Sequence, residues 1–289
     1  MNAQKIRTEA PKRPHLRIEP DKGWVALNLR EVWRFRDLLL TLAARDVKLR
    51  YRQTALGVLW VVLQPLLGAG ILSFVFNTIA GLPTDGVSPF AFSFAGMLGY
   101  TVFSSILTKA STSLVQNSQM VSKVFFPRLI LPISVTFSSF LDFAVGFVVM
   151  LFLLLGNHIA LTPALLLIPI WLLLISMLAL GVGLFFGALM VSYRDVQYVV
   201  PVLIGLLNFA SPVAYPVSFV LSKLSSGVHP LYFLLNPLAA LLSAFRWSLL
   251  GQGDVEWRYV VFSAGVSVVV FFIGAYAFKS LEGRLADVI

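Results

Sequence analysis

The side chains capable of acid–base, metal or nucleophile chemistry are few in this chain and do not converge. Its three histidines, His15, His158 and His229, fall at no metal-ligand spacing, and there is no cysteine to form a disulfide or a thiolate site. No Gly-x-x-x-x-Gly-Lys-Ser/Thr loop is present to cradle phosphate, nor a His-Glu-x-x-His pair or a nucleophile elbow. Asp142 is the only ionisable residue well inside a long apolar run. A carboxylate at the centre of a span costs about 3 kcal/mol on insertion scales, so it is expected to face a bundle interior with a partner. Two roles suit it: a proton or substrate contact, or a buried carboxyl held by polar neighbours such as Ser138 or Ser139. Aromatic residues make up 13 % of the chain, with 24 Phe. Most serve as lipid-facing bulk and interfacial belts. Trp60, Tyr215 and Phe219 sit beside helix-breaking or polar residues and are candidates to line a path and stack on the apolar faces of sugar rings.

What must position these groups is a membrane domain. Apolar residues are 58 % of the chain and charged residues only 12 %, with a mean hydropathy of +0.87, which marks a polytopic membrane protein. Residues 1–53 hold 13 of the 22 Lys and Arg. That charge adjoins a run of 32 residues, 53–84, with no ionisable side chain, where about 20 suffice to cross a bilayer. The basic foot is therefore expected to meet anionic membrane lipid rather than nucleic acid. The N-terminal region is too long and polar for a cleavable signal peptide, so insertion through an uncleaved first span is expected.

Three domains follow. Residues 1–31 read as a basic, loose tail, and residues 32–53 as an amphipathic interface helix. Arg34, Asp37, Thr41, Arg45, Lys48 and Arg52 share one helical face, while Val32, Phe35, Leu39, Leu42 and Leu49 share the other. Asp46 and Arg50 intrude on the apolar side. Residues 54–289 form a six-span domain, with spans near 54–79, 90–108, 129–155, 164–191, 199–220 and 257–278. With both termini inside, the inward segments hold 19 of the 22 basic residues, as the positive-inside rule requires. The segment from Lys223 to Arg246 is broken by Gly227, Pro230 and Asn236-Pro237, and reads as an outer re-entrant hairpin between spans five and six. Gly183 and Gly187, four apart, permit close helix approach. The connection 109–128 is polar but barely charged; as a short helix it would dock on a partner or the membrane through Phe125 and Phe126.

Several of these segments together resemble one family. Arg45-Asp-Val-Lys-Leu-Arg-Tyr-Arg-Gln-Thr-Ala-Leu-Gly-Val-Leu-Trp60 with Gln64-Pro65 is similar to the entry motif of ABC-2 type permeases that export polysaccharides and polyol phosphates. Lys123-Val-Phe-Phe-Pro-Arg-Leu-Ile-Leu-Pro132 resembles the family's approach to the third span, and Tyr193-Arg-Asp-Val196 its short cytoplasmic turn. Ser211-Pro-Val-Ala-Tyr-Pro-Val217, Leu235-Asn-Pro-Leu238 and Ala244-Phe-Arg246 resemble its outer hairpin.

The resemblance implies a homodimeric permease in the bacterial inner membrane, both termini cytoplasmic, bound to two copies of a separate P-loop ATPase. ATP and Mg would sit on that partner, with no cofactor and no catalysis on this chain. It implies an interface or gate helix carrying Arg45, Asp46, Lys48, Arg50, Tyr51 and Arg52, and a coupling segment with Gln116, Asn117, Ser122, Lys123, Phe126 and Arg128. The expected cargo is a lipid-linked glycan such as O-antigen, its path touching Trp60, Asp142, Tyr215, Phe219 and Asn236. A proton-coupled lipid or glycan flippase would instead need Asp142 to titrate. An integral-membrane transferase would need its acids and histidines gathered on one face, and an assembly factor would carry no cargo at all.

Overall fold

The structure, a computed structural model, describes residues 29–51 and 59–288. Among the described residues there are helices and connections but no strand, as expected where each backbone polar group must find a partner within its own segment. The interface helix is two pieces, α1 (Leu29–Arg34) and α2 (Arg36–Tyr51), where one continuous helix was expected. The chain turns at Phe35, whose N–H donates to the Val32 carbonyl at 3.2 Å. Val32, Leu39, Leu42 and Ala43 are buried, but Leu49, expected on that face, is exposed. Asp46, which breaks the apolar pattern, is half-buried.

The spans are α3 (Leu59–Leu72), extended by a π-helical stretch Ser73–Ile79, then α4 (Pro89–Gln116), α6 (Ile130–Gly156), α7 (Ile168–Ser192) and α12 (Trp257–Val288). The short α5 (Ser118–Lys123) follows α4, and a 3-10 turn at Pro163–Leu167 leads into α7. Between α7 and α12 lie α8 (Val196–Ala210), α9 (Val217–Lys223), α10 (His229–Leu235) and α11 (Pro237–Leu250). Five elements among the described residues are long and apolar enough to span a membrane, and α10 with α11 forms a sixth if taken as one span bent by 91°. The protein is an all-α, multi-pass membrane protein. The bend at Asn236 has the geometry of a broken span or of a re-entrant loop.

Two expected boundaries move. The second span does not stop at residue 108 but runs to Gln116. In its polar end the hydroxyls find partners by bonding back along the helix: Thr108 to the Ser104 carbonyl (2.7 Å), Thr112 to Thr108 (3.0 Å) and Ser113 to Ala110 (2.8 Å). The fifth span, expected over 199–220, ends at Ala210. Pro212 and Pro216 lack the N–H that would continue the helix, and their rings restrict the residues before them.

The centre of the bundle is α4, with 72 % of its most apolar stretch buried against 28 % in α3, α6 and α12. Glycines set the crossings around it. A Cβ on Gly183 would meet that of Ala110 at 2.8 Å, and one on Gly187 the Ala110 carbonyl at 3.2 Å, so this pair seats α7 on α4. The α7–α12 crossing is tighter still, with the Cβ site of Gly274 at 1.9 Å from the Gly181 carbonyl oxygen. Inside the bundle lies α11, whose Leu241, Leu242, Ala244, Phe245 and Leu249 are wholly buried. Backbone cannot retreat as a side chain can, so Gly274→Leu is expected to separate α7 from α12. The cost should reach or exceed about 3 kcal/mol, read as loss of folded protein on heating in mild detergent; wild-type thermal stability would refute the close crossing.

Candidate functional site

Three constellations carry the polar chemistry of the molecule. The first is the unwound corner between α8 and α9, residues 211–216. Its carbonyls have left the helix ladder and need partners, and side chains from four other segments supply them. Ala210 O accepts from Tyr232 Oη at 3.1 Å and Asn236 Nδ2 at 3.2 Å. Arg246 Nη1 donates to Pro212 O at 2.8 Å and to Val213 O at 3.4 Å, while Asn77 Nδ2 reaches Ala214 O at 3.2 Å. Asn77 leaves from the π-helical stretch, and its Oδ1 accepts from Ser93 Oγ at 3.2 Å. Arg246 is only 4 % exposed and its guanidinium stacks 3.9 Å from the Phe92 ring centre. Gly96 leaves room for the corner, since a Cβ there would lie 2.1 Å from Val213 O. In the nearby connection before α4, burial raises the Asp85 carboxyl above its ordinary value, Arg246 pulls it back and Asp254 adds to the rise.

The second constellation is a cleft of about 330 Å³ between α3, α4, α6 and α8. Thr101, Ser104, Ser105, Thr108 and Lys109 recur at helical spacing along α4 and line it, with Gln64 from α3 and Asp142 from α6. Lys109 Nζ lies 3.7 Å from Asp142 Oδ2 and donates to Ser138 Oγ at 3.0 Å and Ser139 Oγ at 3.3 Å. Ser105 and Ser139 link α4 to α6 through their hydroxyls at 3.0 Å. The serines named as partners for Asp142 therefore bond the lysine, and the lysine is the ion partner. Lys109 was missed because it fell just past the expected end of the second span. The 3–4 spacing of hydroxyls from Thr101 to Thr112 was the signal that α4 continued.

The third constellation joins two groups read separately in the sequence. Asn117 breaks the helix between α4 and α5, and its Nδ2 donates to Ser113 O at 2.8 Å. Its Oδ1 accepts from Arg45 of α2 at 2.7 Å, and Arg45 also pairs with Asp46 at 3.5 Å. Leu39, Leu42, Leu114, Val121, Phe126 and Ile130 belong to a second apolar core, to which α7 adds Leu184 and Ala188 and α12 adds Ala275 and Phe278. Phe126, expected as a docking contact, is buried there at 5 % exposure, so it anchors the segment from within. The exposed ring is Phe125, at 66 %. Gln116, Ser122 and Lys123 are exposed around it, Arg128 is half-buried and Lys48 is exposed on α2. The side chains of Arg50 and Tyr51, and all of Arg52, lie outside the described residues.

The five candidate path residues do not meet on one surface. Asp142 lines the cleft, and Trp60 lies half-exposed near the start of α3. Tyr215 donates to Phe209 O at 2.6 Å at the corner, and Phe219 lies on α9 with Lys223 Nζ 5.7 Å from its ring centre. Asn236 is 6 % exposed and its amide serves Ala210 and Ser211, which makes it a brace of the corner.

Two measurements check these contacts. Lys109→Met removes an ion partner of a largely buried carboxylate and should lower stability by up to about 3 kcal/mol, with much of the loss recovered in the Lys109→Met, Asp142→Leu double variant. Equal melting of wild type and Lys109→Met would mean that the pair holds nothing. In a double-mutant cycle, Arg45→Ala and Asn117→Ala should show a coupling of about 1 kcal/mol; strict additivity would dissolve the link.

Against this geometry the comparisons with known proteins are consistent. The sequence model of the ABC-2 type transporter family matches residues 37–250, from α2 to the end of α11. The chain is 28 % identical over 259 residues to the O-antigen export system permease protein RfbA of Myxococcus xanthus, covering 90 % of this chain and 98 % of that protein. It is 27 % identical over 261 residues to the protein of the same name from Klebsiella pneumoniae, covering 88 % and 95 %. With the polysialic acid transport protein KpsM of Escherichia coli it shares 26 % over 244 residues, covering 82 % and 91 %. The stretch that holds the corner, the cleft and the Arg45–Asn117 link is thus the family's own domain, and the chain belongs to the ABC-2 type transporter family.

Proposed function

We propose that the chain is the permease subunit of an ATP-driven exporter that moves a lipid-linked polysaccharide, such as O-antigen, outward across the bacterial inner membrane. The observation that carries this reading is near end-to-end similarity to a permease named for O-antigen export, over 98 % of its length. Two copies form the transmembrane unit and two copies of a separate P-loop ATPase drive it, with ATP and Mg held by that partner. Both termini are cytoplasmic, which puts the basic residues of 1–53 against the inner leaflet, and the bent α10–α11 pair is re-entrant from the outer side.

The ATPase docks on the segment around α5, where Phe125 is exposed and Phe126 is anchored. Closure of the ATPase pushes this segment, and the Arg45–Asn117 hydrogen bond carries the displacement to α2. A short rigid helix seated on a packed core shifts as a unit instead of deforming, which suits it to a two-state transmission element. Spans poor in charge suit a glycan, which needs hydroxyl partners and stacking faces more than counter-ions.

Deleting the chain in its native host should abolish surface polymer, and purification in mild detergent should bring down a stoichiometric P-loop ATPase. Phe125→Ser should keep insertion and lower export at least tenfold while ATP hydrolysis continues. Surface polymer that survives the deletion, or export that persists after ATP depletion, would overturn the reading.

A further inference from the structure

We propose that the cleft between α3, α4, α6 and α8 is a binding subsite for the hydroxyl groups of one or two sugar units of the exported chain; this rests on the export reading above. The argument begins with the direction of the hydrogen bonds in the cleft. Thr101 donates its proton to Met97 O at 2.7 Å, Ser104 to Thr101 O at 3.2 Å and Thr108 to Ser104 O at 2.7 Å. A hydroxyl has one proton and two lone pairs, so each of these spends its donor on its own helix and keeps acceptor capacity for the cleft.

Asp142 adds a carboxylate, which accepts only, and Lys109 an ammonium, which donates only. The lining is thus rich in acceptors, with a cation at one end. An acceptor-rich wall does not suit a phosphate or a carboxylate, which themselves only accept and would face Asp142. Nor does it suit an acyl chain, which would desolvate the hydroxyls without compensation. A ligand that matches must bring several O–H donors on closely spaced carbons. A sugar ring does so.

Size and position agree with that chemistry. About 330 Å³ is at the lower end of small-molecule sites and accommodates a monosaccharide or a disaccharide. The acceptors lie along two turns of α4 from Thr101 to Thr108, about 10 Å at 1.5 Å per residue, so successive sugars can exchange partners as a chain advances. Met97, Pro65 and Phe143 supply apolar surface among the polar groups. Gln64, exposed on α3, stands among the lining residues. The Lys109–Asp142 pair keeps both charges compensated between ligands, so an empty cleft strands neither.

The natural chain has no cysteine, so single thiols report on the cleft without background. Val61→Cys and Ile204→Cys place a thiol on its apolar lining, away from the proposed hydrogen-bonding groups, and Val228→Cys is an exposed control outside it. Labelling by a small water-soluble thiol reagent is compared in native membranes from cells making the polymer and from cells in which polymer synthesis is blocked. Occupancy predicts at least fivefold slower labelling at Val61→Cys and Ile204→Cys when polymer is made, with the control unchanged. In parallel, the combined Thr101→Val, Ser105→Ala, Thr108→Val variant should export at least tenfold less polymer at equal membrane abundance. Equal labelling in both membranes, or no labelling in either, overturns the subsite, as does wild-type export by the triple variant. If export depends on the chain while these tests fail, only the subsite falls; if deleting the chain leaves surface polymer intact, both readings fall.

Discussion

The architecture depends on one constraint: a backbone carbonyl or amide inside an apolar bundle must have a partner, and where the helix stops, a side chain has to supply it. Between Ala210 and Pro216 the helix stops because two prolines remove donors and forbid its continuation. The free carbonyls of that corner organise much of what surrounds them. They explain a fully enclosed arginine on α11, an asparagine at a 91° bend and a second asparagine presented by a π-helical stretch. They also explain why Gly96 has no side chain, since the corner's backbone occupies the space a Cβ would fill. Arg246 is well suited because its planar donors reach two carbonyls while its face stacks on Phe92. A lysine would offer neither the fork nor the flat face.

The same rule governs the polar stripe of α4. Hydroxyls in a central helix would destabilise it if unpaired, and here they bond to the preceding turn or across to α6. A lysine and an aspartate on neighbouring helices compensate each other beside them. The most buried span therefore also carries the most polar inner surface. This polar chemistry faces inward, while exposed side chains on α3, α6 and α12 include Ile71, Phe152 and Val269.

At the end of the bundle where α2 lies, the apolar core around Phe126 and Ile130 turns separate elements into one body. Its only described polar tie between α2 and the α4–α5 break is the Arg45–Asn117 hydrogen bond. That arrangement ties the basic helix to the segment around α5. Of Phe125 and Phe126, both expected to dock, it buries Phe126 and leaves Phe125 exposed.

Hydropathy and charge alone determined the class of this protein, three of its spans to within a few residues, and the basic helix that precedes the first span. Those are one-dimensional quantities: the length of an apolar run, the period of its faces, the sign of the charge at its ends. The Gly183–Gly187 pair was legible as a close approach because spacing of four places both on one helical face. Only the tertiary structure decided which helix they approach, that Lys109 pairs with Asp142, that Arg45 reaches Asn117 across 72 positions, and that Arg246 and Asn236 brace a corner. Partners distant in sequence are chosen by packing, and a polar residue in an apolar run reads the same whether it faces a ligand or a stranded carbonyl.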